Sequence, residues 1–162
     1  MRPRHGLPAL LAAGAWLAPA LASAAVSCTA SSTGTDFGIY NPLSATPTYA
    51  NGDVEVTCTL LSGGATTVTL VSSYSTGSSG TYAMRTMLSG ANKLNYNLFF
   101  DAAYTQVRGN GTGGSQTGGA TLNLTAANRT QTASGTIYGR IPAGQDVAAG
   151  SYADTIVVTI TY

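Results

Sequence analysis

Asp154–Tyr162, DTIVVTITY, is the stretch around which the rest of this sequence is interpreted. Ile156, Val158 and Ile160 alternate with valine and threonine residues, the period of two typical of a strand with one face against a core. A strand so rich in β-branched residues needs a hydrogen-bonding neighbour along each edge, or a cover over an open edge. Tyr162 ends the sequence, so we expect the second edge of this strand to find its neighbour elsewhere.

The first 24 residues have the pattern of an export signal. Two arginines precede an apolar stretch rich in leucine and alanine, and Ala22-Ser23-Ala24 offers the small residues that signal peptidase recognises. Two prolines interrupt a span already short for a bilayer, which argues against a membrane anchor. We therefore predict a signal peptide at 1–24, a single domain at 25–162, no stable membrane span after cleavage, and export through the periplasm to the cell surface.

The predicted mature chain lacks the side chains that most catalytic and nucleic-acid sites require. The only histidine, His5, belongs to the signal segment, and five basic residues remain against six acidic ones. This excludes histidine-dependent catalysis and disfavours zinc or phosphate-backbone binding. A GxGxxG match at 109–114 is followed by β-type sequence and not by the helix of a dinucleotide fingerprint. We predict no enzyme, no cofactor, no metal and no nucleic-acid partner.

Cys28 and Cys58 are the only cysteines, and both lie in the exported part. An even count in an oxidising compartment predicts a disulfide, and the spacing is not the CxxC of a redox pair. Such a bond closes a loop of about thirty residues and contributes roughly 3 to 4 kcal/mol on the chain-entropy model.

Short β-type runs separated by turn-forming residues occupy the remaining sequence. The run DVEVTCTLL at 53–61 alternates cleanly and places Cys58 on a core face, and KLNYNLFFD at 93–101 is typical of a central core strand. About seven such strands, with turn signals every eight to twelve residues or so, predict an all-β sandwich of the immunoglobulin-like kind.

Two shorter runs give more specific expectations. In DFGIY at 36–40, alternation places Phe37 and Ile39 on one face of a strand, and in YAMRTML at 82–88 it places Met84 and Leu88 on one face. Arg85 stands alone within the second run, so we expect a solvated or ion-paired surface residue there rather than a ligand-binding base.

Several pieces of the sequence together resemble the spore coat protein U domain family, which includes the pilins of archaic chaperone–usher pili. They run the length of the mature chain in family order: Cys28, FGIY at 37–40, VTC at 56–58, the segment around Arg85, LNYNLFFD at 94–101, YGRIPAGQ at 138–145 and AGSYADT at 149–155.

The resemblance implies an incomplete immunoglobulin-like sandwich that lacks its last strand. In such pilins a periplasmic chaperone lends a strand to the open groove, and after passage through an outer-membrane usher the neighbouring subunit replaces it, which is donor-strand complementation. Carried over, 154–162 lines one side of the groove and 26–30 the other, and the Tyr162 carboxylate anchors basic chaperone residues. The acceptor residues are then Val26, Cys28, Ile156, Val158, Ile160 and Tyr162.

The sequence departs from the fibre-forming pattern near its N-terminus. Three residues precede Cys28 after the predicted cleavage, about 10 Å of extended chain, too short to donate several side chains to a neighbour. The expected role is therefore an acceptor-only subunit at the tip or end of an adhesive, biofilm-associated fimbrium, although known tip subunits resemble two such domains in tandem. Arg108 stands where many family members carry tryptophan, which puts any surface contact by that loop in doubt.

Two alternative functions remain open at this point. One is a spore or cell-coat structural protein whose assembly does not use an usher. The other is a secreted carbohydrate-binding module, because exposed tyrosines can stack on sugars. The tyrosines considered for stacking are Tyr40, Tyr49, Tyr74, Tyr82 and Tyr104.

Overall fold

A computed structural model of the chain describes residues 23–162, so residues 1–22 of the predicted signal segment lie outside the described residues. The described part contains eight strands and one short 3-10 turn at Gly77–Ser79. The strands are β1 (Ala25–Thr33), β2 (Thr48–Ser62), β3 (Thr66–Tyr74), β4 (Arg85–Ser89), β5 (Asn92–Phe99), β6 (Gly118–Leu124), β7 (Thr130–Ile141) and β8 (Val158–Thr161). Within 23–162 no helix has the length and apolar character needed to span a membrane.

The strands form two antiparallel sheets packed face to face. One sheet has five strands in the order β1-β2-β7-β5-β4, and the other has three in the order β6-β3-β8. The predicted all-β sandwich is therefore confirmed. Strand β8 stands at an edge of the smaller sheet, and among the described residues it pairs only with β3.

The core lies between the sheets and follows the alternation seen in the sequence. Val54, Val56, Cys58 and Leu60 of β2 are all buried, as the period of two in DVEVTCTLL predicts. Burying one such aliphatic side chain is worth about 1.5 to 3 kcal/mol. Two clusters result, and the half-buried Ile160 of β8 packs against both of them.

A disulfide joins Cys28 of β1 to Cys58 of β2. The two residues are direct cross-strand partners in the antiparallel register. The bond therefore fastens the edge strand β1 to β2, whose other edge pairs with β7.

The predicted strand at 36–40 is wrong. Gly38 has a φ of 62°, in the left-handed region, and its N–H donates to the Asp36 carboxylate at 2.9 Å. This turn breaks the alternation, so Phe37 packs against the core while Ile39 is 95% exposed.

The prediction for 82–88 assigns the wrong alternate residues to the core face of the strand. Met84 and Leu88 are 40% and 36% exposed, whereas the buried residues of β4 are Arg85, Thr86 and Met87. Arg85 is 0% exposed, so the expectation of a surface arginine is also wrong. The physical reason is that backbone carbonyls from distant loops satisfy its guanidinium, which no local pattern reveals.

Candidate functional site

The chain from Ala153 to Thr161 forms one wall of an open groove. One edge of this wall is paired: Ala153 exchanges two backbone hydrogen bonds with Leu88, and the Val157 carbonyl accepts from the Ser75 N–H at 2.9 Å. Strand β8 then continues along β3. The opposite edge has no backbone partner among the described residues, and no side chain of this wall is fully buried.

The second wall is the segment 34–40, which follows β1. Its backbone makes no hydrogen bond to another backbone group in the described part of the chain. Side chains hold it instead. The Phe37 ring meets the Tyr96 ring edge-on at 5.9 Å, and the Tyr40 hydroxyl donates to the Pro142 carbonyl and accepts from the Gln145 N–H at 2.8 Å.

Between these walls lie two adjoining cavities of about 560 and 710 Å³. They share Thr35, Phe37, Met87 and Tyr152, so they form one continuous groove. Its floor is the core itself, consisting of Tyr74, Met87, Leu94, Tyr96, Leu98, Ile137 and Ile141. The interior of the sandwich is therefore open along the groove.

Asp154 anchors the wall near its beginning. Its carboxylate accepts from the backbone N–H of Ser78 at 2.9 Å, from the Ser78 hydroxyl at 2.7 Å and from the Tyr96 hydroxyl at 2.7 Å. Burial, reinforced by the hydrogen bond and the negative charge of Asp154, raises the pKa of Tyr96 well above its usual value. The wall is thus held in place before any partner arrives.

The groove can bind an apolar strand but has no catalytic chemistry. Asp36 and Asp154 are the only charged residues among those that line it. Within residues 23–162 no three histidine, cysteine, aspartate or glutamate side chains lie close enough to hold a metal ion. Apolar side chains can fill the floor, while the two carboxylates favour a segment that carries no acidic residue.

The predicted acceptor residues do not all meet in this groove. Ile156 and Val158 line it, and Ile160 lies just beyond, in contact with both core clusters. Val26 and Cys28 instead pack against the second cluster, and Tyr162 is 60% exposed outside the lining. The second wall comes from 34–40, after β1, and a role for 26–30 in strand acceptance stays a prediction.

Several groove residues were not identified from the sequence, among them Phe37, Tyr40, Met87, Val147 and Tyr152. A signal existed for three of them. Phe37 and Tyr40 stand in FGIY, and Tyr152 stands in AGSYADT, both pieces that carry the family resemblance. Met87 and Val147 had no such signal.

The groove has the form expected of a strand-accepting subunit, and comparison with known proteins gives the family. The model of the Spore Coat Protein U domain matches residues 16–159, which is most of the chain. The chain belongs to the Spore Coat Protein U domain family. This confirms the resemblance drawn from the sequence, and as a member of this family of structural domains the chain is not an enzyme.

Two individual proteins show the range of similarity to this Spore Coat Protein U domain. Protein U of Myxococcus xanthus is 32% identical over 134 residues, covering 78% of this chain and 70% of that protein. The second is the chaperone–tip adhesion subunit pre-assembly complex CsuC–CsuE of archaic chaperone-usher Csu pili from Acinetobacter baumannii. The structural alignment to a chain of this complex has a TM-score of 0.49 and a sequence identity of 15%. It covers 85% of this chain and 40% of the matched chain.

Proposed function

We propose that the chain is an exported structural subunit of a chaperone–usher-type surface pilus, completed by a strand from another chain. The observation that carries this proposal is the groove, whose two facing walls have backbone edges without partners and whose floor is the apolar core. A donated strand supplies both missing sets of hydrogen bonds and covers the core, which is β-augmentation.

The groove defines the chemistry of the donated strand. The wall residues that face inward are Asp154, Ile156, Val158 and Ile160, and Tyr152, just before the wall, continues the same pattern of every second position. The strand therefore presents apolar side chains at alternate positions over about seven to nine residues, with no carboxylate near Asp36 or Asp154. A periplasmic chaperone supplies such a strand during export, and a neighbouring subunit supplies it in the fibre.

The position we propose within the fibre is an acceptor-only end. Ala25 to Thr33 are paired with β2, and Cys28 is covalently bound to it, so this segment is not free to enter a neighbour's groove. Together with the predicted cleavage after Ala24, this supports a subunit that receives a strand and does not donate one.

A cell-coat protein assembled without an usher remains the second candidate, because the same groove serves either assembly. Genes for a chaperone and an usher beside this one would favour the pilus over the coat.

The carbohydrate-binding alternative has little support in the structure, because Tyr74 and Tyr82 are buried and Tyr40 is half-buried and hydrogen-bonded. Of the tyrosines considered for stacking, only Tyr49 and Tyr104 lie together, with ring centroids 4.7 Å apart.

The proposal is tested by adding a synthetic donor peptide of about nine residues, alternating valine with threonine and ending in lysine, to the purified mature chain. We expect hydrogen exchange at Ile156 to Ile160 to slow on addition. Ile156→Asp, which places a charge in the groove, is expected to abolish the effect. Val157→Asp is the matched control, because Val157 is 61% exposed and faces away. Full protection of the lone chain, with no response to peptide, would refute the proposal.

A further inference from the structure

Ile39 and Leu43, which we name the apolar lip, are the most exposed large apolar side chains in the described residues, at 95% and 92%. The loop that carries them is internally hydrogen-bonded. Asp36 accepts from the Gly38 N–H at 2.9 Å, and the Asn41 side chain accepts from the Leu43 N–H at 3.0 Å. The lip is therefore presented outward by a defined loop, and no charged residue occurs between Phe37 and Pro47.

Ile39 of the lip reaches one end of the groove. Ile39 and Pro42 line that end together with the core residues Leu94 and Ile141. Single exposed apolar residues are ordinary on a protein surface. Two almost fully exposed ones on an uncharged loop, beside an open apolar groove, are typical of a surface that is covered after assembly.

The direction of the chain shows which part of a partner reaches this end. From Val147 to Val158 the chain that leads into and forms the first wall runs away from the lip, and β8 continues in that direction. The strand that completes an immunoglobulin-like sandwich runs antiparallel to the strand before it. A donated strand therefore begins near Ile160 and ends at the lip. Where this strand is the N-terminal segment of the donating subunit, the folded body of that subunit follows at the lip.

We propose that Ile39 and Leu43 dock against an uncharged, apolar surface on the body of the subunit that donates the strand. This rests on the proposed function, because it takes the groove to be filled by a neighbouring subunit. The contact at the lip then increases the affinity for the donating subunit. A free peptide, which only fills the groove, does not make this contact. The lip also discriminates the neighbouring subunit from a chaperone that fills the same groove with a strand of its own.

The test compares the double variant Ile39→Ser/Leu43→Ser with Leu61→Ser. Leu61 is a matched control, because it is 60% exposed and lies near the end of β2 remote from the lip. The first readout is binding of the nine-residue valine–threonine peptide to Leu43→Ser and to Leu61→Ser, which we expect to be equal, because neither residue lines the groove. The second is incorporation into the surface fraction of the producing strain, which we expect to fall about tenfold in the double variant alone.

Three results overturn the inference. Normal incorporation of the double variant shows that the lip is not docked. Weaker peptide binding by Leu43→Ser shows that the lip acts through the groove itself. An equal loss of incorporation in Leu61→Ser shows a non-specific effect of exposed apolar residues. If the unmodified chain binds no peptide at all, the proposed function fails, and this inference fails with it.

Discussion

Arg85 and Arg108 lie inside the sandwich, with 0% and 4% of their surfaces exposed, and burial lowers the pKa of each. Within the described residues their guanidinium groups bind neutral acceptors and no carboxylate. Arg85 donates to the carbonyls of Ser75 and Arg108 and to the Asn97 side chain. Since Ser75 in turn binds Val157 of the groove wall, Arg85 positions that wall from the interior.

We expect Arg85→Met to lower the free energy of unfolding by about 3 kcal/mol, because three buried acceptors lose their donor. The control is Arg140→Met. Arg140 is only partly buried and lies over the Phe99 and Tyr104 rings, an interaction worth about 1 kcal/mol or less. Urea unfolding of the two purified variants measures the difference. Similar, small losses in both would show that the Arg85 contacts contribute little.

Ionisation of the Tyr96 hydroxyl is expected to make the stability of the folded chain depend on pH in the alkaline range. Its folded-state pKa is raised, so the neutral hydroxyl favours the folded state; this contribution is complete below the unfolded pKa and is lost as pH rises above it. We therefore expect the urea midpoint to fall above about pH 10. Tyr96→Phe removes the titrating group, and its midpoint is expected to fall less over the same range. An identical decline in both proteins would assign the alkaline sensitivity to other groups.

The two groove walls differ in how the fold holds them in place. The wall from Ala153 to Thr161 has backbone partners along one edge, whereas 34–40 has none and rests on side-chain packing. The close approach of 34–40 to the sheet depends on Gly139 of β7. A Cβ there would lie 2.5 Å from a Thr35 methyl and 2.7 Å from the Phe37 ring.

We expect Gly139→Ala to push Thr35 and Phe37 away from the sheet and so displace the second wall. The affinity for the donor peptide is expected to fall about tenfold, equivalent to about 1.4 kcal/mol. Gly119→Ala is the control, because a Cβ there meets its nearest neighbour, the Leu70 carbonyl, at an ordinary 3.5 Å. Peptide titration of both variants by calorimetry measures the effect. Unchanged affinity for Gly139→Ala would mean that the wall tolerates displacement.

At the scale of the whole molecule, the chain is a sandwich with its core closed at one side and open along the groove. Two interactions hold the chain in place beside the open part of the core. The disulfide fastens β1 to β2 beside the second core cluster, and Asp154 fixes the last segment beside the first. The groove therefore remains organised while empty, so under the proposed function less ordering entropy is lost when a strand binds.

The contribution of the disulfide is expected to be global rather than local to the groove. We expect Cys28→Ala/Cys58→Ala to lower the free energy of unfolding by about 3 to 4 kcal/mol. Below the unfolding transition, affinity for the donor peptide is expected to stay within about twofold of the unmodified chain, because neither cysteine lines the groove. Guanidinium unfolding and peptide titration measure the two quantities. A reductant that destabilises the double variant as much as the unmodified chain would contradict the assignment.

The sequence by itself determined the fold class, the disulfide and the core face of the central strands. These features follow from local chemistry, since a period of two places Val54 to Leu60 against a core whatever the neighbouring strand is. The inward face of the last strand followed in the same way from Ile156, Val158 and Ile160.

Only the tertiary structure decided where the groove lies and what surrounds it. The left-handed turn at Gly38 sends Phe37 into the core and Ile39 outward, against the alternation of their segment. Arg85 is buried because carbonyls of Ser75 and Arg108, 10 and 23 residues away in sequence, converge on its guanidinium. Partners distant in sequence determine whether a polar or turn residue is buried or exposed. Its burial is favourable only where the assembled fold supplies hydrogen bonds to it.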